Sequence, residues 1–113
     1  LANPGNEDYY TPKKLSSLYA DKDFGPYAEN GILHVNFLTN CQTTSGNSGS
    51  PVLNTKGNLI GVNFDRISEG VASDYRYIPA LSRSITLDIR YMLFLIDKYS
   101  PSGYLLNEMK FVK

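Results

Sequence analysis

One glycine-rich turn constrains the fold of this chain more than any other stretch. Residues 44–51 read TSGNSGSP, so that Gly46 and Gly49 flank Ser48 and Pro51 closes the segment. Glycine is conformationally permissive and proline lacks an N–H donor, so the segment cannot continue as regular helix or inner strand. It can curl so that backbone N–H groups converge beside a hydroxyl. Acyl transfer needs that arrangement, a nucleophile beside donors that hold an oxyanion.

The same residues also suit a purely structural turn. A Ser- and Gly-rich surface turn between two strands would have this composition, and a GNSG match is too short to decide. In the chemical interpretation Ser48 is the nucleophile, Gly46 allows close backbone approach and Gly49 leaves room for a substrate. The residues after the turn must therefore decide between the two.

Alternating apolar residues predict short strands on both sides of the turn. The predicted strands cover residues 33–38, 51–54, 59–65, 75–78 and 83–87. Residues 54–58 (NTKGN) predict a hairpin between the second and third strands. The pattern therefore predicts a mainly β fold, and we expect the strands to complete a barrel.

Helices are predicted on both sides of the strands. Thr11 is typical of an N-cap, and Pro12 of the first position of a helix over residues 12–20. Asp88 is expected to cap a stronger helix, whose apolar positions recur at helical spacing up to Ile96. Residues 100–103 (SPSG) end that helix, and a last helical turn is expected around residues 105–109.

Composition limits the possible functions. The 113 residues suffice for one small domain, and 42% of them are hydrophobic. Eleven basic residues balance eleven acidic ones, so no basic stripe indicates nucleic acid. No apolar run approaches the length of a membrane span. One histidine and one cysteine do not make a zinc site, and no lysine follows the glycine turn as in a phosphate loop. We therefore expect neither metal nor cofactor.

The single cysteine and the single histidine each allow two interpretations. Cys41 excludes an intramolecular disulfide and is expected to be a small apolar residue in or beside a strand, the alternative being a thiol nucleophile. In a chymotrypsin-like order the serine follows both histidine and aspartate. We therefore expect the general base of Ser48 upstream of this chain and His34 bonded locally on a strand face. The alternative is that His34 is itself the base.

Several segments together carry a family resemblance. They are residues 12–15 (PKKL), 35–38 (VNFL), 46–54 (GNSGSPVLN), 57–61 (GNLIG), 64–66 (FDR), 73–74 (SD), 88–91 (DIRY) and 94–98 (FLIDK). In this combination the chain resembles the C-terminal part of the bacterial dipeptidyl-peptidase 7/dipeptidyl-peptidase 11 family of serine peptidases. The resemblance spans nearly the whole chain.

The resemblance implies a fold and a cellular setting. Residues 1–113 would be the C-terminal segment of a chymotrypsin-like double β-barrel catalytic domain, cut from a longer chain. The catalytic histidine and aspartate would lie upstream, which would leave this segment inactive alone. The family works in the periplasm of Gram-negative bacteria, and a homodimer of the full-length enzyme is compatible with the resemblance.

The resemblance also implies site residues. Ser48 matches the nucleophile, and the N–H groups of Gly46 and Ser48 match the oxyanion hole. Asp65 matches the carboxylate that binds the peptide's free α-amino group. Arg66 matches the position at which family members with arginine prefer Asp or Glu as the second (P1) residue, because a guanidinium pairs with a carboxylate bidentately. The alternatives are a strand-end cap for Asp65 and a solvated side chain for Arg66.

The predicted function is a serine dipeptidyl aminopeptidase that releases dipeptides with an acidic second residue from peptide N-termini. Peptides with that residue are the expected partners, with no nucleic acid or membrane. Two alternatives stay open. One is a non-catalytic β-barrel binding module that retains the serine turn, and the other is a glutamyl endopeptidase of the same fold, which has no need of Asp65.

Overall fold

The computed structural model describes residue 5, residues 10–67 and residues 82–112. Four strands form its centre: β1 (Asn36–Thr39), β2 (Pro51–Leu53), β3 (Leu59–Arg66) and β4 (Ser84–Asp88). They make one antiparallel sheet in the order β1-β4-β3-β2. In the described part of the chain β1 and β2 are therefore sheet edges, and the expected closed barrel is not formed.

The hairpin between β2 and β3 follows from local turn chemistry, as predicted. The Asn54 side-chain oxygen accepts hydrogen bonds from the amides of Lys56 and Asn58 at 2.9 and 3.0 Å. Gly57 has φ +80°, a left-handed conformation that costs glycine least. An asparagine at the start and a glycine within the turn thus set the pairing of the two strands.

The pairing of β3 with β4 contains an irregularity that matters for the site. Val62 lies opposite Leu87, but the register shifts between Asn63 and Asp65. Such a β-bulge re-aims the side chains that follow it. At Gly61 the two strands are too close for a side chain, because an added Cβ would lie 2.5 Å from the Leu87 carbonyl oxygen.

Along the chain, helices precede the first strand and follow the last one. They are α1 (Lys13–Ala20), α2 (Ile89–Phe94), a π-helix (Leu95–Tyr99) and 3-10 helices at Gly25–Tyr27 and Gly103–Glu108. The predicted cap of α1 was wrong. Pro12 rather than Thr11 is its N-cap residue, because the ψ of Pro12 is 138° and the helix therefore begins one residue later, at Lys13. No side chain caps the helix, since a proline ring has no acceptor. The predicted cap of α2 is confirmed, since the Asp88 side chain accepts a hydrogen bond from the Arg90 amide.

The apolar core is small and lies beside the sheet. Among the described residues the buried hydrophobic side chains are those of Phe24, Leu93 and Phe94. Phe24 and Phe94 meet edge to face with ring centroids 6.0 Å apart. β4 instead turns alternate polar residues inward, as Ser84, Thr86 and Asp88 are all buried. Aromatic packing therefore holds the helices, and polar contacts hold one face of the sheet.

A mainly β fold with flanking helices is confirmed in this open form. β1 begins three residues later than predicted, so His34 lies before the strand and not on its face. Cys41 lies just beyond the end of β1, as expected, but its side chain is exposed. The strand predicted at residues 75–78 lies outside the described residues.

Asp88 joins the end of β4 to the start of α2. Its carboxylate accepts hydrogen bonds from the Arg90 guanidinium at 3.0 and 2.8 Å, and Arg90 also pairs with Glu29 at 2.8 Å. Burial alone would raise the pKa of Asp88, but the bonds from Arg90 outweigh it and hold that pKa below its ordinary value.

We therefore predict that Asp88 makes stability depend on pH. Asp88→Ala should lower the free energy of unfolding by about 1–2 kcal/mol through loss of the cap, and Asp88→Asn by less because the amide oxygen still accepts. A pKa lowered by folding gives stability that is fully present above the unfolded value of about 4 and is lost as pH falls through the folded value. Thermal unfolding of the wild-type protein and both variants across acidic pH measures this; an unchanged acid limb in Asp88→Asn contradicts it.

Candidate active site

Two overlapping tight turns shape the segment that carries Ser48. Asn47 closes the first, because its side-chain oxygen accepts from the Thr44 amide at 2.7 Å and its own amide donates to the Thr44 carbonyl. The second is closed by the Ser50 amide, which donates to the Asn47 carbonyl at 3.0 Å. Gly46 and Gly49 have φ +91° and +88°, values that favour glycine. The glycines around Ser48 are thus required by backbone geometry.

The double turn is attached to β3 through Asn63. The Gly49 amide donates to the Asn63 carbonyl at 2.7 Å, and the Asn63 amide donates to the Ser50 carbonyl at 2.9 Å. The Asn63 side-chain amide donates to the Asn47 carbonyl at 3.1 Å. The sequence analysis did not predict this role of Asn63, which is buried. The one indication was an asparagine among the apolar residues of a predicted strand.

Ser48 itself is exposed beside the end of β3. Its hydroxyl donates to the Phe64 carbonyl at 3.3 Å, which is long for an O–H donor. A side chain held this loosely can rotate toward an incoming group without a large loss of hydrogen bonding. The turn thus presents the hydroxyl to solvent at a fixed place on the sheet.

Asp65 and Arg66 follow directly on β3, beyond the bulge. The Asp65 carboxylate is exposed, and one of its oxygens accepts from the Arg66 amide at 2.8 Å. The Arg66 guanidinium is partly buried and donates to the Thr43 carbonyl at 3.5 Å, a long contact. The structure therefore brings Ser48, Asp65 and Arg66 to one end of the sheet, beside the segment that precedes the serine turn.

His34 lies at the other end of the sheet. Its Nε2 is 3.8 Å from a Glu29 carboxylate oxygen, in the cluster that Glu29 forms with Arg90 and Asp88. The two ends of the sheet are far apart. Asp88 pairs with Gly61 and Ser84 pairs with Arg66, and the four residue steps along β4 between Ser84 and Asp88 span about 13 Å. His34 thus has a local polar contact, although not on a strand face as expected, and its position does not suit a general base for Ser48.

Within residues 10–67 and 82–112 no three His, Cys, Asp or Glu side chains cluster as a metal site would require. None of the described helices is long and apolar enough to cross a membrane.

The sequence matches a known peptidase family along almost its whole length. The model of the Peptidase S46 family matches residues 2–111. The chain belongs to the peptidase S46 family. This match, together with relatives named Asp/Glu-specific dipeptidyl-peptidase and relatives named dipeptidyl-peptidase 7, confirms the resemblance to the dipeptidyl-peptidase 7/11 family.

Named relatives are identical to the chain at about half of the aligned positions. An Asp/Glu-specific dipeptidyl-peptidase of Capnocytophaga gingivalis is 53% identical over 111 residues, and dipeptidyl-peptidase 7 of Porphyromonas gingivalis is 42% identical over 110. The alignments cover 97% of this chain but only 16% and 15% of those proteins. The chain thus spans about a sixth of the length of its relatives.

Solved structures of DPP11 have the same fold in this region. DPP11 of Porphyromonas endodontalis in complex with the dipeptide Arg-Asp superposes with a TM-score of 0.92 at 48% identity. The superposition covers 96% of this chain and 16% of that one. The roles of Ser48, Gly46, Asp65 and Arg66 stay predictions, which the geometry above makes specific enough to test.

Proposed function

We propose that this chain is the nucleophile-bearing segment of a serine dipeptidyl peptidase that releases dipeptides with Asp or Glu as second residue. The observation that carries the proposal is the location of one hydroxyl, one carboxylate and one guanidinium, from Ser48, Asp65 and Arg66, at the same end of β3. Membership of a peptidase family and similarity to proteins named Asp/Glu-specific dipeptidyl-peptidases support it.

In the proposed reaction the Ser48 hydroxyl attacks the carbonyl of the second peptide bond. Its proton passes to a histidine elsewhere in the longer protein, which later protonates the leaving amine. The N–H groups of Gly46 and Ser48 hold the oxyanion of the tetrahedral intermediate. Water then hydrolyses the ester on Ser48 and frees the dipeptide.

Asp65 and Arg66 would set the length and the charge of the product. The exposed Asp65 carboxylate would bind the substrate ammonium at a fixed distance from Ser48, so that cleavage falls after two residues. Arg66 would pair with the carboxylate of the second residue. DPP11 of P. endodontalis has been solved with Arg-Asp and with Arg-Glu, and both dipeptides end in an acidic residue.

The rest of the proposal concerns the longer protein. The open sheet would be completed by further strands into a chymotrypsin-like barrel. This would cover the exposed apolar side chains of the sheet, among them Leu38 (58% exposed) and Phe64 (44% exposed). A periplasmic location and a homodimeric full-length enzyme stay predictions from the family resemblance.

The first test removes the nucleophile from the full-length protein. We expect Ser48→Ala to lower kcat by about 10⁴-fold or more, because no other group replaces a lost nucleophile. Ser45→Ala, in the same turn, should keep wild-type turnover, and thermal unfolding should match in all three proteins. Labelling by a fluorophosphonate should be lost with Ser48. Wild-type protein that neither turns over nor labels would favour the binding module.

The second test concerns charge selection. Substrates with Glu or Gln as second residue differ in charge but little in shape, so their ratio of kcat/KM isolates the charge contact. We expect Arg66→Gly to lower this Glu/Gln ratio by about 10- to 100-fold, the worth of a charge-assisted hydrogen bond, and to admit apolar second residues. An unchanged Glu/Gln ratio would show that Arg66 does not contact the side chain of the second substrate residue.

The third test concerns the peptide N-terminus. Asp65→Asn keeps the shape but loses the charge, and should raise KM for peptides with a free N-terminus by about 10-fold or more. Wild-type protein should not cleave the same peptides after N-acetylation, which removes the ammonium group. Equal cleavage of free and acetylated peptides would instead indicate a glutamyl endopeptidase.

A further inference from the structure

A buried hydroxyl on β4 connects the two halves of the candidate site. Ser84 is only 2% exposed and lies opposite Arg66 in the sheet. Its hydroxyl donates to the Cys41 carbonyl at 3.0 Å and lies 2.7 Å from the Thr43 hydroxyl oxygen. Both partners belong to the segment that leads into the serine turn. One side chain thus holds that segment against the strand next to Arg66.

The chemistry of hydroxyl groups fixes the direction of these bonds. A serine hydroxyl has one proton, and Ser84 gives it to the Cys41 carbonyl, which can only accept. The short contact between the hydroxyls therefore requires Thr43 to donate to Ser84. The chain of bonds runs from Thr43 through Ser84 to Cys41, and the loss of either hydroxyl breaks it.

The chain of bonds ends at the group that Arg66 contacts. The carbonyl of Thr43 accepts a hydrogen bond from the Arg66 guanidinium. A carbonyl oxygen can only accept, so in this contact the guanidinium is the donor. At 3.5 Å this contact is sensitive to small movements of the carbonyl, because hydrogen bonds weaken steeply with poorer geometry.

We propose that Ser84 and Thr43 are positioning residues for acidic specificity. They pin the Thr43 carbonyl, which in turn holds the Arg66 guanidinium where it meets the carboxylate of the second substrate residue. Neither hydroxyl touches the reacting atoms. The inference rests on the proposed function and adds to it the residues that set how well Arg66 discriminates.

The test compares near-isosteric variants in the full-length protein. Thr43→Val removes the donating hydroxyl but keeps the volume and the carbonyl, whereas Thr43→Ser keeps the hydroxyl. We expect Thr43→Val to lower the Glu/Gln ratio of kcat/KM by about 3- to 10-fold, the worth of one neutral hydrogen bond. We expect a higher KM for the Glu substrate, while kcat for that substrate and kcat/KM for the Gln substrate stay unchanged. Thr43→Ser should restore the wild-type ratio.

The chain offers a matched control two residues along β4. Thr86 is fully buried on the same face as Ser84, and its hydroxyl has no hydrogen-bond partner among the described residues. Thr86→Val removes an equivalent hydroxyl from the same strand, so its Glu/Gln ratio should stay at the wild-type value. If Thr43→Val yields no folded protein, Ser84→Ala breaks the same chain of bonds and is judged by the same ratio.

The outcomes separate this inference from the proposed function. If Thr43→Val lowers Glu and Gln cleavage equally, or if Thr86→Val lowers the ratio as much, the hydroxyls serve only the fold and the inference is overturned. If Arg66→Gly lowers the ratio while Thr43→Val leaves it unchanged, the proposed function stands and the positioning role fails. If wild-type protein shows no preference for Glu, both are wrong.

Discussion

The attachment of the serine turn to β3 is the interaction on which the rest of the site depends. Three hydrogen bonds at Asn63 hold the turn, two through its backbone and one through its side chain. Without them Ser48 would belong to a loop with no fixed relation to Asp65 and Arg66. Because Asn63 is buried, the loss of a partner would leave one of its polar groups unsatisfied.

The site is held by polar contacts because little apolar packing is available near it. The aromatic core lies with the helices, whereas the inward face of β4 is polar. Hydrogen bonds have direction, so they can fix a guanidinium or a carbonyl in a way that apolar contacts cannot. The cost is that some buried polar atoms lack protein partners, as at Thr86 and the side-chain oxygen of Asn63 among the described residues.

Local chemistry made parts of the fold predictable from the sequence. The asparagine and glycine of the β2–β3 hairpin and the Asp88 cap act within a few residues, and both were predicted. The cap of α1 was predicted one residue early, because the extended ψ of 138° makes Pro12 the N-cap and not the first helical residue. The start of β1 was placed early because alternation continues through His34, while pairing with β4 begins only at Asn36.

What the sequence could not give depends on contacts between distant segments. The attachment through Asn63, the bonds of Ser84 to Cys41 and Thr43, and the open edges of the sheet all join residues far apart in the chain. Periodicity reports which residues face inward, but not what they meet there. The family resemblance supplied candidate residues for the site, and only the geometry showed that Ser48 and Arg66 share one end of the sheet.

The bulge in β3 has a consequence for how such a chain can change. Residues that pair across antiparallel strands point to the same face. The extra residue makes Arg66, and not Asp65, the partner of Ser84. Deleting one residue there would exchange the two side chains between inner and outer face, reversing the sign of charge presented on each. An insertion or deletion at this single point of the sheet is therefore a more drastic change than most substitutions around it.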